Sequence, residues 1–332
     1  MKKIYLLTLI ILLTISCTNC NKEKAASLPG IIFDTDLGPD YDDVGALAFL
    51  HAMADSGKIE ILATIASNKH ELVAPSIEVI NTYFGRPETA IGAPSSHGVN
   101  TGSPYHWADS ITTNYTHILN STSEAADAVK LYRKILISQP DKSVTVVTVG
   151  FLTNLRNLLI SKPDSISHLA GRDLVLKKVK NLVSMAGKFP EGKEYNVEMD
   201  SIASEYVFRN WPGEITFTGF EIGAQIKTGI RLTNSDIKDS PVKDAFRISM
   251  LQSEEDKNGR MSWDQTAVLI AVYGTGGFFD IVKGTIIVNK NGSNRWKNDK
   301  VGNHKYVVLK TPADDVAKFI EDRMMHQPVN RN

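Results

Sequence analysis

Phe33-Asp34-Thr35-Asp36-Leu37-Gly38-Pro39-Asp40-Tyr41-Asp42-Asp43 carries five carboxylates within ten residues, directly after the apolar run Ile31-Ile32-Phe33. Like charges this close repel one another, so a folded chain holds them best around a cation. Hard oxygen ligands favour Ca²⁺ or Mg²⁺ over softer transition metals. The apolar run reads as a buried strand, and residues 44–50 read as a helix. The acids therefore sit on a loop at the carboxyl end of a strand, where open α/β sheets bind their ligands. A solvated acidic turn with an Asp helix cap is the plainer reading. Gly38 and Pro39 speak against it, because they shape a tight turn that a mere surface loop would not need.

Outward from this stretch, strand-like and helix-like patterns alternate. Residues 59–66 form a short apolar run, and 71–84 read as a helix interrupted near its start by Pro75. Residues 125–137 are apolar at helical spacing. The strongest strand is 143–149, β-branched almost throughout, as expected of one buried on both faces. It stops at Gly150, ahead of another helix from Leu152. Residues 182–186 and 214–220 read as further strands, and 289–303 as a hairpin or surface loop. The alternation predicts an α/β fold: an open, mainly parallel sheet with helices on both faces. Residues 92–123 read as a long irregular connection, and 254–259 as a polar breaker.

The 332 residues carry 37 Lys plus Arg against 37 Asp plus Glu, so no global field recruits nucleic acid or anionic lipid. Met1-Lys2-Lys3 and the apolar stretch from Ile4 to Ile15 are too short for a mature membrane span. The stretch ends in Thr14-Ile15-Ser16-Cys17, which resembles a bacterial lipoprotein signal, although Thr14 stands where Leu is more usual. The expectation is a signal over 1–16, a lipidated tether over 17–29 beginning at Cys17, and one domain over 30–332. That exports the protein and anchors it to a membrane, in the periplasm or at the cell surface. An ordinary secretory signal is the competing reading. Both cysteines, Cys17 and Cys20, fall in this segment, so the remainder has neither a disulfide nor a thiol nucleophile.

Three further segments carry chemistry. Val149-Gly150-Phe151-Leu152-Thr153-Asn154 turns at a strand end, where a carbonyl suits a cation, although taken alone a structural β-to-α turn is the plainer reading. Glu194-Tyr195-Asn196, with Asp200, enters a helix. Ser262-Trp263-Asp264-Gln265 has the form of a capping box, with Ser262 at the N-cap and Gln265 three residues on. Asp264 would then gain about 0.3–1 kcal/mol from the helix dipole.

Taken in order, Asp34-Thr35-Asp36-x-Gly38 with Asp42-Asp43, Asn68, Gly150-x-Leu152-Thr153-Asn154, Glu194-Tyr195-Asn196 with Asp200, and Asp264 resemble the inosine-uridine-preferring nucleoside hydrolase family over nearly the whole mature chain. The resemblance implies a tightly bound Ca²⁺ at the carboxyl ends of the strands. The ion would hold the ribose 2′- and 3′-hydroxyls and a water that attacks the anomeric carbon. By position, Asp36 would ligate calcium and take the proton of that water. Asp43, Asp264 and the carbonyl of Val149 would complete the metal ligands. Asp42 would accept from a ribose hydroxyl, and Asn68, Glu194 and Asn196 would hold the rest. Assembly into dimers or tetramers is common in that family.

Three departures qualify the carry-over. Pro39-Asp40-Tyr41 lengthens the acidic loop, so Asp40 competes with Asp42 for the ribose. Such Gly-x-Asp-x-Asp-Asp forms resemble a branch of the same superfamily. Trp263 stands where a His often protonates the leaving base; it would stack on a base or pack in the core. Lys188 stands near the place of an Asn that usually precedes the Glu-aromatic-Asn motif. His97, His106, His117 and His304 are the remaining candidate acids, with exposed polar residues the plainer reading of most of them. Two other readings compete. In a haloacid-dehalogenase-like phosphatase Asp34 would be the nucleophile, which explains neither Asp42-Asp43 nor Glu194-Tyr195-Asn196. In a non-catalytic calcium-binding lipoprotein, the site would hold a ribosyl ligand without turnover.

Overall fold

Along the chain the strands are Gly30–Thr35 (β1), Glu60–Ala66 (β2), Ile91–Ala93 (β3), Ala126–Asp127 (β4), Val144–Thr148 (β5), Val179–Met185 (β6), Glu191–Lys193 (β7), Ile215–Thr218 (β8), Lys227–Thr228 (β9), Arg260–Met261 (β10), Phe279–Val288 (β11), Ser293–Asn298 (β12) and His304–Leu309 (β13). They come from a computed structural model that describes residues 28–299 and 301–329. The signal and the lipidation site at Cys17 lie outside the described residues. Eleven strands form one sheet in the order β4-β3-β2-β1-β5-β6-β8-β13-β11-β12-β7, and β9 with β10 makes a separate ribbon. From β4 to β13 every pairing is parallel; β11, β12 and β7 finish the far edge antiparallel.

Side chains alternate across a strand, and here the alternation divides the core into two layers. Ile31 and Phe33 of β1 and Val147 of β5 join one buried cluster, with helices Asp42–Asp55 and Trp263–Tyr273. Ile32 and Val146 point the other way, into a cluster with Tyr132, Leu136, Leu155 and Leu158. Central parallel strands therefore carry apolar residues on both faces, and β1 and β5 are buried throughout, with Asp34, Thr35, Thr145 and Thr148 as their buried polar members. Helices therefore cover both faces, as expected.

Three local expectations are corrected. Pro75 does not interrupt a helix: Val73–Tyr83 begins two residues before it, and in the first turn a missing N–H removes no helical bond. The helix expected from 125 begins at Ala128, because Ala126–Asp127 first pairs with β3 and Asp127 then accepts from Lys130 N at 2.8 Å as N-cap. The connection over 92–123 is not irregular throughout. It holds helix Trp107–Asn114, anchored by a fully buried Trp107.

Candidate active site

Parallel strands all end on one side of the sheet, and four of them deliver the site there. β1 runs out at Thr35 into the acidic loop, and β2 into Ser67-Asn68. β5 runs into Val149-Gly150, and β6 leads to Glu194 through the segment after Met185. The approach is tight. A Cβ on Gly150 would overlap the backbone nitrogen of Asp36, so only glycine lets the two loops meet. Above them lies a cavity of about 430 Å³, whose lining includes Asp36, Asp40, Asp42, Val149, Glu194, Asn196, Trp263 and Asp264. Tyr195, Phe220 and Arg260 line it too.

Asp40, Asp42, Asp43 and Asp264 each bring a carboxylate oxygen within 4.8 Å of the others. Burial, then repulsion between the acids, pushes Asp42 and Asp43 up to about 7. The same causes hold Asp36 and Asp264 well above the ordinary carboxylate range. Asp43 accepts from the Thr35 hydroxyl with one oxygen, while its other oxygen is buried with no hydrogen-bond partner. Close carboxylates plus an unsatisfied buried oxygen fit a hard divalent cation, which would relieve both the repulsion and the orphaned atom. The expected ligands Asp43 and Asp264 belong to this group. Asp36 lies outside it, though near enough for Asp43 and Asp40 to raise its pKa.

Asp42 has a different neighbourhood from the one expected of a ribose contact. Its side chain is 1% exposed, and its oxygens take four bonds. Oδ1 accepts from Arg260 Nε at 3.3 Å and Nη2 at 2.9 Å; Oδ2 accepts from the backbone N–H groups of Trp263 at 3.0 Å and Asp264 at 3.2 Å. Asp42 thereby caps helix Trp263–Tyr273. The capping box expected there is absent: Ser262 makes no side-chain cap bond and instead bonds the Thr228 hydroxyl at 2.7 Å. Asp40 is the freer acid, with a side chain 40% exposed and one ion pair, to Arg260 Nη2 at 2.6 Å.

Arg260 was invisible as a partner of these acids in the sequence. It sits on the β9–β10 ribbon, with its guanidinium 4.9 Å from the Tyr41 ring centre and 5.0 Å from that of Trp263. Asp256 completes its surroundings at 3.6 Å and accepts from the Tyr41 hydroxyl at 2.8 Å. Burial opposes its charge, but the three aspartates outweigh that and keep the guanidinium firmly protonated. The only available signals were a single arginine four residues before Asp264 and an acid in a polar loop. Neither points to a carboxylate more than two hundred residues away.

The remaining expected residues divide into two groups. Glu194 and Asn196 line the cavity. Glu194 is the N-cap of helix Tyr195–Met199 and accepts from Asn196, Val197 and Gly187 N–H groups. Asn196 Nδ2 donates to the Val149 carbonyl at 3.0 Å, so that oxygen already has a protein partner. Asn68 does not line the cavity. Its Nδ2 donates to the carbonyls of Asp36 and Thr101, and its Oδ1 accepts from His70 and Thr101 N–H groups. Those bonds use the whole amide, which ties the acidic loop to the 94–105 segment rather than offering it to a sugar. Asp34 is fully buried, accepts from the Tyr132 hydroxyl at 2.8 Å and from Asn154, and is not a lining residue. A phosphatase nucleophile would have to be reachable.

Trp263 lines the cavity, half-buried, with Nε1 donating to the Phe220 carbonyl at 2.8 Å. Among the described residues no histidine lines it. His117 is bonded through both nitrogens to Leu119 and Thr112 carbonyls. His304 lies in the sheet, where burial holds it down to about 4.

The model of the family described as inosine-uridine preferring nucleoside hydrolase matches residues 31–304, from the strand before the acids past Asp264. The chain belongs to that family. The inosine-uridine preferring nucleoside hydrolase of Leishmania major is 24% identical over 205 residues, 59% of this chain and 61% of that protein. The chain thus spans about three-fifths of the curated relatives it matches. Among solved structures, a plant nucleoside hydrolase superposes with a TM-score of 0.67 at 19% identity, covering 90% of this chain and 99% of that one. A nucleoside hydrolase from Bacillus anthracis gives 0.66 at 18% identity, covering 90% and 99%. These likenesses establish the nucleoside hydrolase-like α/β fold.

Proposed function

We propose that the protein hydrolyses the N-glycosidic bond of ribonucleosides or a related ribosyl compound, with Ca²⁺ as its cofactor. The observation that carries this is the ring of carboxylates around Asp43 at the carboxyl edge of the sheet, in a chain of the nucleoside hydrolase family. Asp36, Asp43 and Asp264, with the Val149 carbonyl, would hold the cation. Bound there, it would acidify water and anchor sugar hydroxyls.

The chain's own residues supply the rest. Asp36 lines the cavity with its pKa raised, which suits a base that takes the proton of an attacking water. Asp40, partly exposed and singly paired, is the acid free to accept from a ribose hydroxyl, whereas Asp42 is committed to Arg260 and the helix N-terminus. Glu194 and Asn196 border the remaining sugar positions. As the base departs, positive charge grows on the sugar ring, and the surrounding carboxylates stabilise it without having to reorganise.

Hydrolysis of 4-nitrophenyl riboside tests this, since its good leaving group needs no acid. Calcium-dependent turnover should fall by at least about a hundredfold in Asp36→Ala, the lower end of what a positioned base contributes. Sugar and calcium binding without turnover would favour the non-catalytic reading, and no calcium binding would sink the assignment. Export as a lipoprotein anchored at Cys17 rests on the signal-like residues 14–17, and nucleoside salvage outside the cell would follow. Full-length protein in the cytosol with an unmodified Cys17 would overturn it.

A further inference from the structure

When an N-glycosidic bond breaks, the base nitrogen keeps the electron pair. A neutral base therefore needs a proton as it leaves, unless it already carries positive charge. No histidine lines the cavity to give one, and Asp36, Asp40, Asp42 and Asp264 are the acids that the cation, the ribose or Arg260 would hold in their ionised form. Glu194 is held as an acceptor by three backbone N–H groups. Trp263 Nε1–H is committed to Phe220, and burial makes the Tyr195 phenol a weaker acid than usual. None of the eight histidines, all among the described residues, lines the cavity.

The lining also has a strong electrical bias. Seven carboxylates face two cations, and both cations are already paired: Lys193 with Glu198, and Arg260 with Asp40 and Asp42. With a divalent ion bound and holding these acids ionised, that balance stays negative. Glu255, exposed, makes no ion pair among the described residues. The aromatic rings of this wall already attract cations inside the fold. Lys188 Nζ lies 5.2 Å from the Phe220 ring centre, and the Arg260 guanidinium 5.0 Å from that of Trp263.

We propose that the site prefers N-ribosyl cations, nucleosides whose aromatic base is quaternised at a ring nitrogen, such as a ribosyl pyridinium or a 7-alkylpurine riboside, over neutral nucleosides and nucleotides. The proposal rests on the ribosyl-hydrolase reading above. The chemistry balances without an acid. Water oxygen bonds to C1′ as the C1′–N bond breaks, and the electron pair returns to the ring nitrogen and cancels its charge. The water proton passes to Asp36 and on to solvent. The products are ribose, a neutral base and one proton. Anionic nucleotides would meet the same carboxylates as a barrier.

Two arms on the full chain with calcium test it. In the slowed Asp36→Asn variant, tryptophan fluorescence follows binding of 1,7-dimethylinosine and 1-methylinosine, which have no N1 proton to lose and differ by one methyl and one fixed charge. The cation should bind about tenfold tighter, the scale of a partly desolvated cation–π contact, and Glu255→Gln should narrow the preference. In the wild type, nicotinamide riboside should exceed inosine in kcat/KM, with 4-nitrophenyl riboside reporting the hydrolytic machinery itself. Equal or tighter binding of the neutral 1-methylinosine, binding of neither nucleoside, or equal kcat/KM for inosine and nicotinamide riboside would overturn the proposal. Tighter binding of the cation with no turnover of 4-nitrophenyl riboside would support the preference while removing the hydrolase reading.

Discussion

Asp40 and Asp42 stand two residues apart, and the fold gives them opposite tasks. Asp42 is fully buried and fully bonded, and it ties the acidic loop to the ribbon through Arg260 and to the helix that carries Asp264. Asp40 faces the cavity with oxygen to spare. Removing one partner of a buried ion pair costs about 3–5 kcal/mol when the other is left unpaired. Arg260 would keep Asp40 and Asp256, while the N–H groups of Trp263 and Asp264 would lose their cap, so the lower end of that range applies. Asp42→Ala should therefore lower unfolding free energy by that order in denaturant titrations and weaken calcium binding by calorimetry, since Asp264 loses its anchor. Asp40→Asn should leave stability nearly unchanged and raise KM for ribosides. If Asp40→Asn destabilises as much as Asp42→Ala, this division of labour is wrong. Sequence alone could not assign these roles. The acids were legible as a cluster because they are adjacent in the chain, but the arginine that separates them by function is close only in the fold.

Helix Asp42–Asp55 is buried along nearly its whole length, so its one histidine sits where a charge is expensive. His51 is 0% exposed, stacks on Phe84 at 4.8 Å, and meets Asn81 Oδ1 through Nε2 at 2.9 Å, with Nδ1 left unpartnered. Burial lowers its pKa from 6.5 to about 3. The folded state keeps it neutral while the unfolded chain takes up a proton below 6.5, so its contribution is whole above 6.5 and fades as pH falls. Each pH unit below 6.5 should cost the wild type about 1.4 kcal/mol relative to His51→Leu. Chemical denaturation of both proteins at pH 8, 6.5, 5.5 and 5 measures the difference, and a gap that does not change with pH would refute it. At this scale sequence reading succeeded where one helix explains itself and failed where two must meet. The apolar run after the acids was plain, whereas the Ser-x-x-Gln pattern at Ser262 suggested a local cap. The real cap is a carboxylate from this other helix, which satisfies two N–H groups at once and leaves Ser262 to bond Thr228.

Across the whole molecule, the α/β architecture was readable because parallel strands buried on both faces are rich in apolar and β-branched residues, as Ile31-Ile32-Phe33 of β1 and Val144–Thr148 of β5 are. The antiparallel edge formed by β11, β12 and β7 was not, because solvent-facing strands there carry mixed residues such as Ser293–Asn298 that read equally well as loop. The site's location followed from topology: acids after a central strand must lie at its carboxyl edge. What topology imposes is an energetic debt, a group of buried carboxylates held together before any cation arrives. Their raised pKa values mean that the metal-free fold binds protons that the unfolded chain has released. Metal-free stability from this group is therefore lost as pH rises from about 4 through 7. A cation binds the ionised forms and displaces those protons, so its benefit grows over the same window. At a hundredfold excess over Kd, calcium should add about 2.7 kcal/mol, on the order of 5 °C in Tm. Thermal scans with calcium or chelator should show that increment larger at pH 8 than at pH 5. Asp43→Asn should raise the Tm of the metal-free protein, by relieving repulsion, while abolishing the increment. An increment equal at both pH values, or one that survives in Asp43→Asn, would place the cation somewhere other than this group.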